Sequence, residues 1–227
     1  MDKVLQMLQL QQQLNDATNG EDWEQGVTKN GKVIDWKRCI YMECAEMIDS
    51  FAWKHWKSIH QDPDWANLQI EVIDVWHFVM SLALQEYRND FRGSLEELAA
   101  NTSQLSAYAA LSEAAGGFAS PEALMTKIEE VMLDVLVREG FDLERLMVNF
   151  FELVRMSGLD IVTLYRLYVG KNILNQFRQD HGYKEGSYVK EWNGLEDNAV
   201  MKRIWEENGE LKPEALYAEL ESHYPAS

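Results

Sequence analysis

Positive charge is scarce in this chain. Its 21 Lys and Arg face 38 Asp and Glu, a formal net charge of −17. That balance argues against a general nucleic-acid binder, which needs a positive footprint. Cysteine is scarcer still, with only Cys39 and Cys44 present. Five residues apart on one helix, their side chains diverge by about 140° and do not readily pair, so a reduced, cytoplasmic setting is expected. No apolar run approaches the roughly 18 residues of a membrane-spanning helix. The opening MDKVLQMLQLQQQLND lacks the apolar core and cleavage site of a secretory leader. Neither a membrane nor nucleic acid is therefore expected as a partner. Internal repeats and Pro- or Ser-rich linkers are missing, and strand-like alternation hardly occurs. The common phosphate and nucleophile motifs are missing too. Gly170-Lys171 is followed by Asn172 rather than the Ser or Thr of a Walker A loop, and there is no GxGxxG and no GxSxG.

What remains is material for a helical core. Hydrophobic residues make up 46% of the 227, with eight Trp, nine Tyr and eight Phe, too aromatic for a disordered acidic chain. Helical periodicity and punctuation divide it readily. Residues 2–16 read as a Gln-rich amphipathic helix closed by Thr18-Asn19-Gly20. TKNGKVID (28–35) reads as a turn holding the one plausible hairpin signal. A long helix is expected from Trp36 to about His60, broken by Asp62-Pro63-Asp64, and another over 65–90. A softer helix follows over Ser94–Ala114. Ser120-Pro121-Glu122 starts the next, which should stop at Gly140. Asp142 and Asp160 start two more, closed by Ser157-Gly158 and Gly182. A polar loop (183–198) then leads to a short helix near 198–207 and a last one from Pro213. The fold class is all-α, a helical bundle in one domain spanning 1–227, with 94–157 as a helical insertion or lobe.

Two acid pairs interrupt this pattern. In ECAEMIDS (43–50), Ile40, Cys44, Met47, Ile48 and Phe51 form a core stripe roughly 100° wide. Glu43 and Glu46 lie along its edge, and Asp49 falls opposite. In EVIDVWHF (71–78), the helix is apolar over most of its circumference. Glu71, Asp74, His77, Ser81 and Gln85 collect in a polar stripe about 120° wide. Burying unpaired carboxylates is costly, and clustering them adds repulsion. Three readings compete: acids solvated or paired with Lys and Arg, half of a di-iron carboxylate site through Asp74 and His77, or an all-oxygen site for a hard cation. No His follows Glu43 or Glu46 at the spacing di-iron chemistry needs. Mg²⁺, with Mn²⁺ as a substitute, suits carboxylates combined with phosphate oxygens.

Lys171, Asn175 and Arg178 fall within about 60° of one another on their helix. Five of the 21 basic residues lie between Arg166 and Lys190, against two acids. Alone, this stripe reads as a solvated face; beside an acidic metal cluster it reads as an anion clamp. Cys44, next to Glu43, reads as core rather than as a nucleophile.

ECAEMIDS, WKHWK, EVIDVWHF, KNILNQFRQDHGY and WNGLEDN, in that order, resemble the dimeric dUTPases. These belong to the all-α nucleoside triphosphate pyrophosphatases. The resemblance implies a Mg²⁺-dependent homodimer that hydrolyses dUTP to dUMP and pyrophosphate, with dUDP also accepted, by in-line attack of a metal-bound water on the α-phosphorus. A broader nucleotide pyrophosphatase of the same superfamily is the alternative. By the resemblance, Glu43, Glu46, Glu71 and Asp74 are metal ligands, with Glu43 and then Glu46 the candidates for orienting water. Lys171, Asn175, Arg178, Tyr183 and Lys190 match phosphate contacts, and Asn198 the residue reading deoxyribose. Gln12 and Asn15 match uracil contacts, although Gln13 and Asp16 share their spacing. His77 matches a wall of the uracil pocket, and Trp53 and His55 lie in the aromatic patch that packs on the base.

Overall fold

Apolar stripes and helix punctuation in the sequence become ten α-helices among the described residues of the computed structural model, which are 2–57, 62–113, 116–137, 139–208 and 211–225. The chain separates into two compact units, Met1–Leu164 and Tyr165–Ser227. No helix among the described residues is long and apolar enough to cross a membrane.

The first unit holds α1 (Lys3–Asn19), α2 (Trp36–Asp49), α3 (Trp65–Asn89), α4 (Leu95–Ser103), α5 (Ser106–Ala109), α6 (Pro121–Leu136) and α7 (Leu143–Met156). Most starts follow the capping chemistry read from sequence. Asp2, Asp35, Asp64, Ser94, Ser120 and Asp142 each accept a first-turn backbone N–H, a contribution of about 1 kcal/mol apiece. Val27 and Val33 form an antiparallel bridge around the expected turn at 28–35. Residues 94–157 supply α4 to α7, and these pack directly on α1, α2 and α3.

Three boundaries differ from expectation. The helix expected to reach His60 ends at Asp49, because polar side chains there take other partners. Ser50 N–H returns to Met47 O at 3.0 Å, its carbonyl accepts from Asp64 N at 2.8 Å, and its hydroxyl accepts from Asn67 at 3.0 Å. Asp49 holds the Trp53 indole N–H at 2.9 Å and the Lys54 ammonium at 2.6 Å. Such bonds compete with the helical ladder. His60 itself lies outside the described residues. The second difference is α6, which stops at Leu136 instead of Gly140, with Val137 already extended. The third is the soft segment from Ser94, which divides into α4, α5 and a single 3₁₀ turn over Ala110–Ser112.

Helix α3 is the spine of this unit, packing on α1, α2, α4 and α7. Its fully buried Trp76 stacks on Phe150 of α7 at 5.0 Å and directs its indole N–H to Met7 of α1 at 3.4 Å. Burying one such ring is worth about 1.5–3 kcal/mol. The contact also fixes which face of α3 is left for its polar residues.

Helix α8 (Ile161–Asp180) begins at the end of the first unit and continues into the second. The second unit adds a hairpin of β1 (Glu191–Trp192) and β2 (Leu195–Glu196), then α9 (Asp197–Asn208) and α10 (Pro213–His223). The turn at 28–35 is therefore not the only hairpin signal. Asn193-Gly194 forms a two-residue loop with φ of +54° and +84°, as the type I′ turn requires. Phe177 of α8 lies at the centre of a ring cluster with His181, Trp192, Tyr217 and Tyr224.

Gly170 is the close-approach point of α8 and α9. A Cβ there would run into the Trp205 indole nitrogen and lie 2.7 Å from Met201 Sδ. In an ordinary helix Gly→Ala stabilises by roughly 0.5–1 kcal/mol, whereas overpacking costs about 1–3 kcal/mol. Gly170→Ala is therefore expected to lower Tm and expose Trp205 to a fluorescence quencher. A raised Tm would show that α9 is not seated on this residue.

Candidate active site

Packing of α2 against α3 brings the acid pairs together. One carboxylate oxygen from each of Glu43, Glu46 and Glu71 falls within 4.8 Å of the others. Glu43 and Glu71 are half-buried, and Glu46 is exposed. Asp74 lies outside that triple but close by. After burial, its charge is the largest influence on Glu43, followed by those of Glu46 and Glu71. Together they push the Glu43 carboxyl up to about 8. Asp49, expected on the opposite side, is exposed and bound to Lys54.

The donor set fits a hard divalent cation. Only carboxylates make up the cluster found among the described residues, as Mg²⁺ requires. The soft alternatives are occupied elsewhere. The Cys44 thiol is buried in the core, where burial and then the Glu43 charge push its pKa up. His77 places Nδ1 2.7 Å from Gln11 Oε1.

That contact belongs to a buried polar array between α1 and α3. Gln11, Asn15, His77 and Ser81 are each less than 5% exposed. Gln11 Nε2 donates to Asn15 Oδ1 at 3.1 Å and to Ser81 Oγ at 3.0 Å, and Asn15 Nδ2 donates to the same hydroxyl at 3.0 Å. Ser81 in turn donates to the His77 carbonyl at 2.8 Å. The hydroxyl thus uses its one proton and both lone pairs. Gln11 thus links Asn15 and Ser81 through its amide nitrogen and meets His77 Nδ1 through Oε1.

The candidate amides Gln12 and Asn15 have different neighbours. Gln11, not Gln12, stands with Asn15. Gln12 donates to Asp16 Oδ1 at 3.0 Å, which also holds the Trp23 indole at 2.9 Å. Four residues of helix rotate only about 40° past a full turn, whereas three fall about 60° short, and α3 meets the former face. Trp53 and His55 stand on the exposed loop after α2. Trp53 is 42% exposed and edge-on to Trp56 at 5.6 Å, and His55 packs on Trp56 at 4.9 Å.

In the second unit, Lys171 and Arg178 are buried, 3% and 9% exposed. Lys171 Nζ donates to Asn198 Oδ1 at 2.8 Å, and Arg178 Nη1 donates to Asn175 Oδ1 at 3.2 Å. Tyr183 lies with its ring 5.7 Å from the Arg178 guanidinium carbon. Lys190 accepts the Asp197 backbone N–H at its carbonyl at 3.0 Å and places its exposed ammonium 3.9 Å from Glu196. The residue missed from sequence is Asp197, fully buried and paired in fork geometry with Arg178. Burial would raise its pKa, but the Arg178 hydrogen bonds and charge outweigh that and hold it low. Gln11 and Ser81 were likewise not singled out, although Gln11 stands four before Asn15 and Ser81 was already in the polar stripe.

Glu43 sets a pH dependence for the protein without metal. Folded, it keeps its proton to about pH 8; the unfolded chain releases it near 4.5. The folded state thus binds more protons between these values. The stabilisation is fully present below the lower value and is lost as pH rises through the upper. The Tm of chelator-treated protein should fall across this window, and Glu43→Gln should flatten the slope. An unaltered slope in the variant would place the titration elsewhere.

A family model described as dUTPase matches residues 3–183. No curated protein matches the chain. The matched span contains the four acids, the buried amides and the Lys171–Arg178 stretch, while Lys190, Asp197 and Asn198 lie beyond it. With most of its length covered and an all-helical architecture, the chain belongs to the all-α dUTPase family and is a dUTP diphosphatase, a hydrolase of nucleotide metabolism.

Proposed function

We propose that this dUTP nucleotidohydrolase is Mg²⁺-dependent, with Glu43, Glu46, Glu71 and Asp74 holding the cation. The observation that carries this reading is the close set of carboxylate oxygens from Glu43, Glu46 and Glu71, with Glu43 pushed up to about 8 by burial and like charge. Such an arrangement is costly unless positive charge joins it. When bound, Mg²⁺ supplies charge neutralisation and Lewis acidity at the phosphate oxygens.

The chain's own residues do the rest. Glu43 orients a water in line with the α-phosphorus and takes its proton, with Glu46 beside it. A bond forms from that water oxygen to the α-phosphorus, the bond to the bridging oxygen breaks, and dUMP and pyrophosphate result. With dUDP the same attack releases phosphate. Lys171, Asn175, Arg178, Tyr183 and Lys190 bind phosphate oxygens, Lys171 and Arg178 carrying the leaving group's charge. Asn198 contacts the deoxyribose. Asn15, with Gln11 now beside it in place of Gln12, reads the uracil imide edge, whose alternating donors and acceptors an amide matches. The bonds that Ser81 makes to both amides support that assignment. His77 walls the base, and Trp53 and His55 pack on it. A homodimer and a cytoplasmic setting complete the proposal, the latter supported by two free thiols.

Pyrophosphate release from dUTP, with and without Mg²⁺, is the direct test. Activity is expected only with the cation, and Glu43→Gln should lower kcat by roughly 10²-fold. Near-wild-type turnover in that variant would remove Glu43 from its role. Across a panel of dUTP, dTTP and dCTP, a strong preference for dUTP is expected. Comparable kcat/KM values would instead indicate a broader pyrophosphatase.

A further inference from the structure

Arg178 shares its charge with a neighbour. Its Nε and Nη2 meet the two oxygens of Asp197 at 2.8 Å each, and the two side chains are 10% and 0% exposed. Asp197 is also saturated from other directions. Tyr188 donates its hydroxyl to Oδ2 at 2.8 Å, and the Asn198 backbone N–H donates to Oδ1 at 2.8 Å. Four donors on one carboxylate account for its roughly four acceptor sites.

Stability alone is a poor reason for this arrangement. Removing two charges from water costs several kcal/mol, and a buried pair often stabilises no more than apolar residues of the same volume. Orientation is a better reason. A bidentate contact fixes the guanidinium plane, which a single hydrogen bond does not. The same carboxylate fixes the start of α9, where Asn198 Oδ1 lies 2.8 Å from Lys171 Nζ and 3.4 Å from Arg178 Nη2. Tyr188 is itself held, stacked on Tyr224 at 5.5 Å and edge-on to Trp192 at 6.4 Å. Asp197 therefore ties α8, the segment before the hairpin and α9 to a single orientation of Arg178.

We propose that Asp197, anchored by Tyr188, is a positioning residue for dUTP hydrolysis, holding the Arg178 guanidinium in the orientation that meets the nucleotide's phosphates. This rests on the reading of Lys171 and Arg178 as phosphate contacts.

The test is steady-state kinetics on the full chain with Mg²⁺ and dUTP, alongside Tm. The variants are D197N, Y188F, R178Q and K171M, with the doubles D197N/R178Q and Y188F/R178Q. D197N should raise KM by about 10- to 100-fold with a smaller change in kcat, and Y188F should act in the same direction by about threefold. Neither should add to the loss already present in R178Q, because a residue acting through Arg178 has nothing left to position. Equal losses in the wild-type and R178Q backgrounds would overturn the proposal and leave Asp197 a fold-stabilising residue. If R178Q and K171M raise KM while D197N and Y188F leave it at the wild-type value, positioning fails and the phosphate reading stands. If R178Q and K171M leave KM unchanged, the phosphate reading itself fails and the proposal with it. Should D197N not fold, the Y188F pair, which loses only a hydroxyl, decides the matter.

Discussion

Mutual repulsion among carboxylates at the α2–α3 contact is the constraint on which the rest of the first unit depends. Two unit charges 4 Å apart repel by about 4 kcal/mol at an effective dielectric near 20, and Glu43 feels three acidic neighbours. Nothing in α2 alone offsets this. The offset comes from α3, whose apolar circumference locks it to α1, α2 and α7 through residues such as Trp76. This packing holds the acids together, with the Glu43 carboxyl pushed up to about 8. A divalent cation would relieve the repulsion and displace the Glu43 proton, so metal affinity and pH are linked at this site.

Three polar systems in this chain deal with burial in different ways. The acid cluster brings like charges together, and Glu43 responds with a raised pKa. The Gln11–Asn15–His77–Ser81 array links neutral groups, with one hydroxyl serving as junction for two amides. The Arg178–Asp197 pair cancels charge internally while fixing a plane. These differences assign chemistry. A cluster of like charges favours a cation, a neutral array offers hydrogen-bond pattern, and a cancelled pair offers geometry.

Much of this was legible in the sequence, and the failures have physical causes. Helix starts were readable because a cap and its first turn are local, as at Ser120-Pro121 and Asp142. The end of α2 was not, because Ser50 is held by Asp64 and Asn67 from the next segment. The acid pairs were visible as breaks in helical hydrophobicity. The Gln11 register was obscured by a run of three glutamines, among which only the meeting face of α3 decides. Asp197 was passed over because its partner lies 19 residues earlier, and on sequence an acid at a helix start reads as a surface cap.

An acidic protein that hydrolyses a polyanion faces an electrostatic difficulty, and its resolution follows from where the charges lie. A formal charge of −17 repels a free triphosphate at long range, although salt limits that field to about 8 Å at physiological ionic strength. Attraction must therefore be short-ranged. In the second unit the buried Arg178 is paired with Asp197, and the buried Lys171 donates to Asn198 while its charge also acts on Asp197. In the function proposed above, a cation held by the carboxylates of α2 and α3 would bring further counter-charge with the nucleotide. On this view the acidity of the protein selects the metal-complexed nucleotide over the bare one.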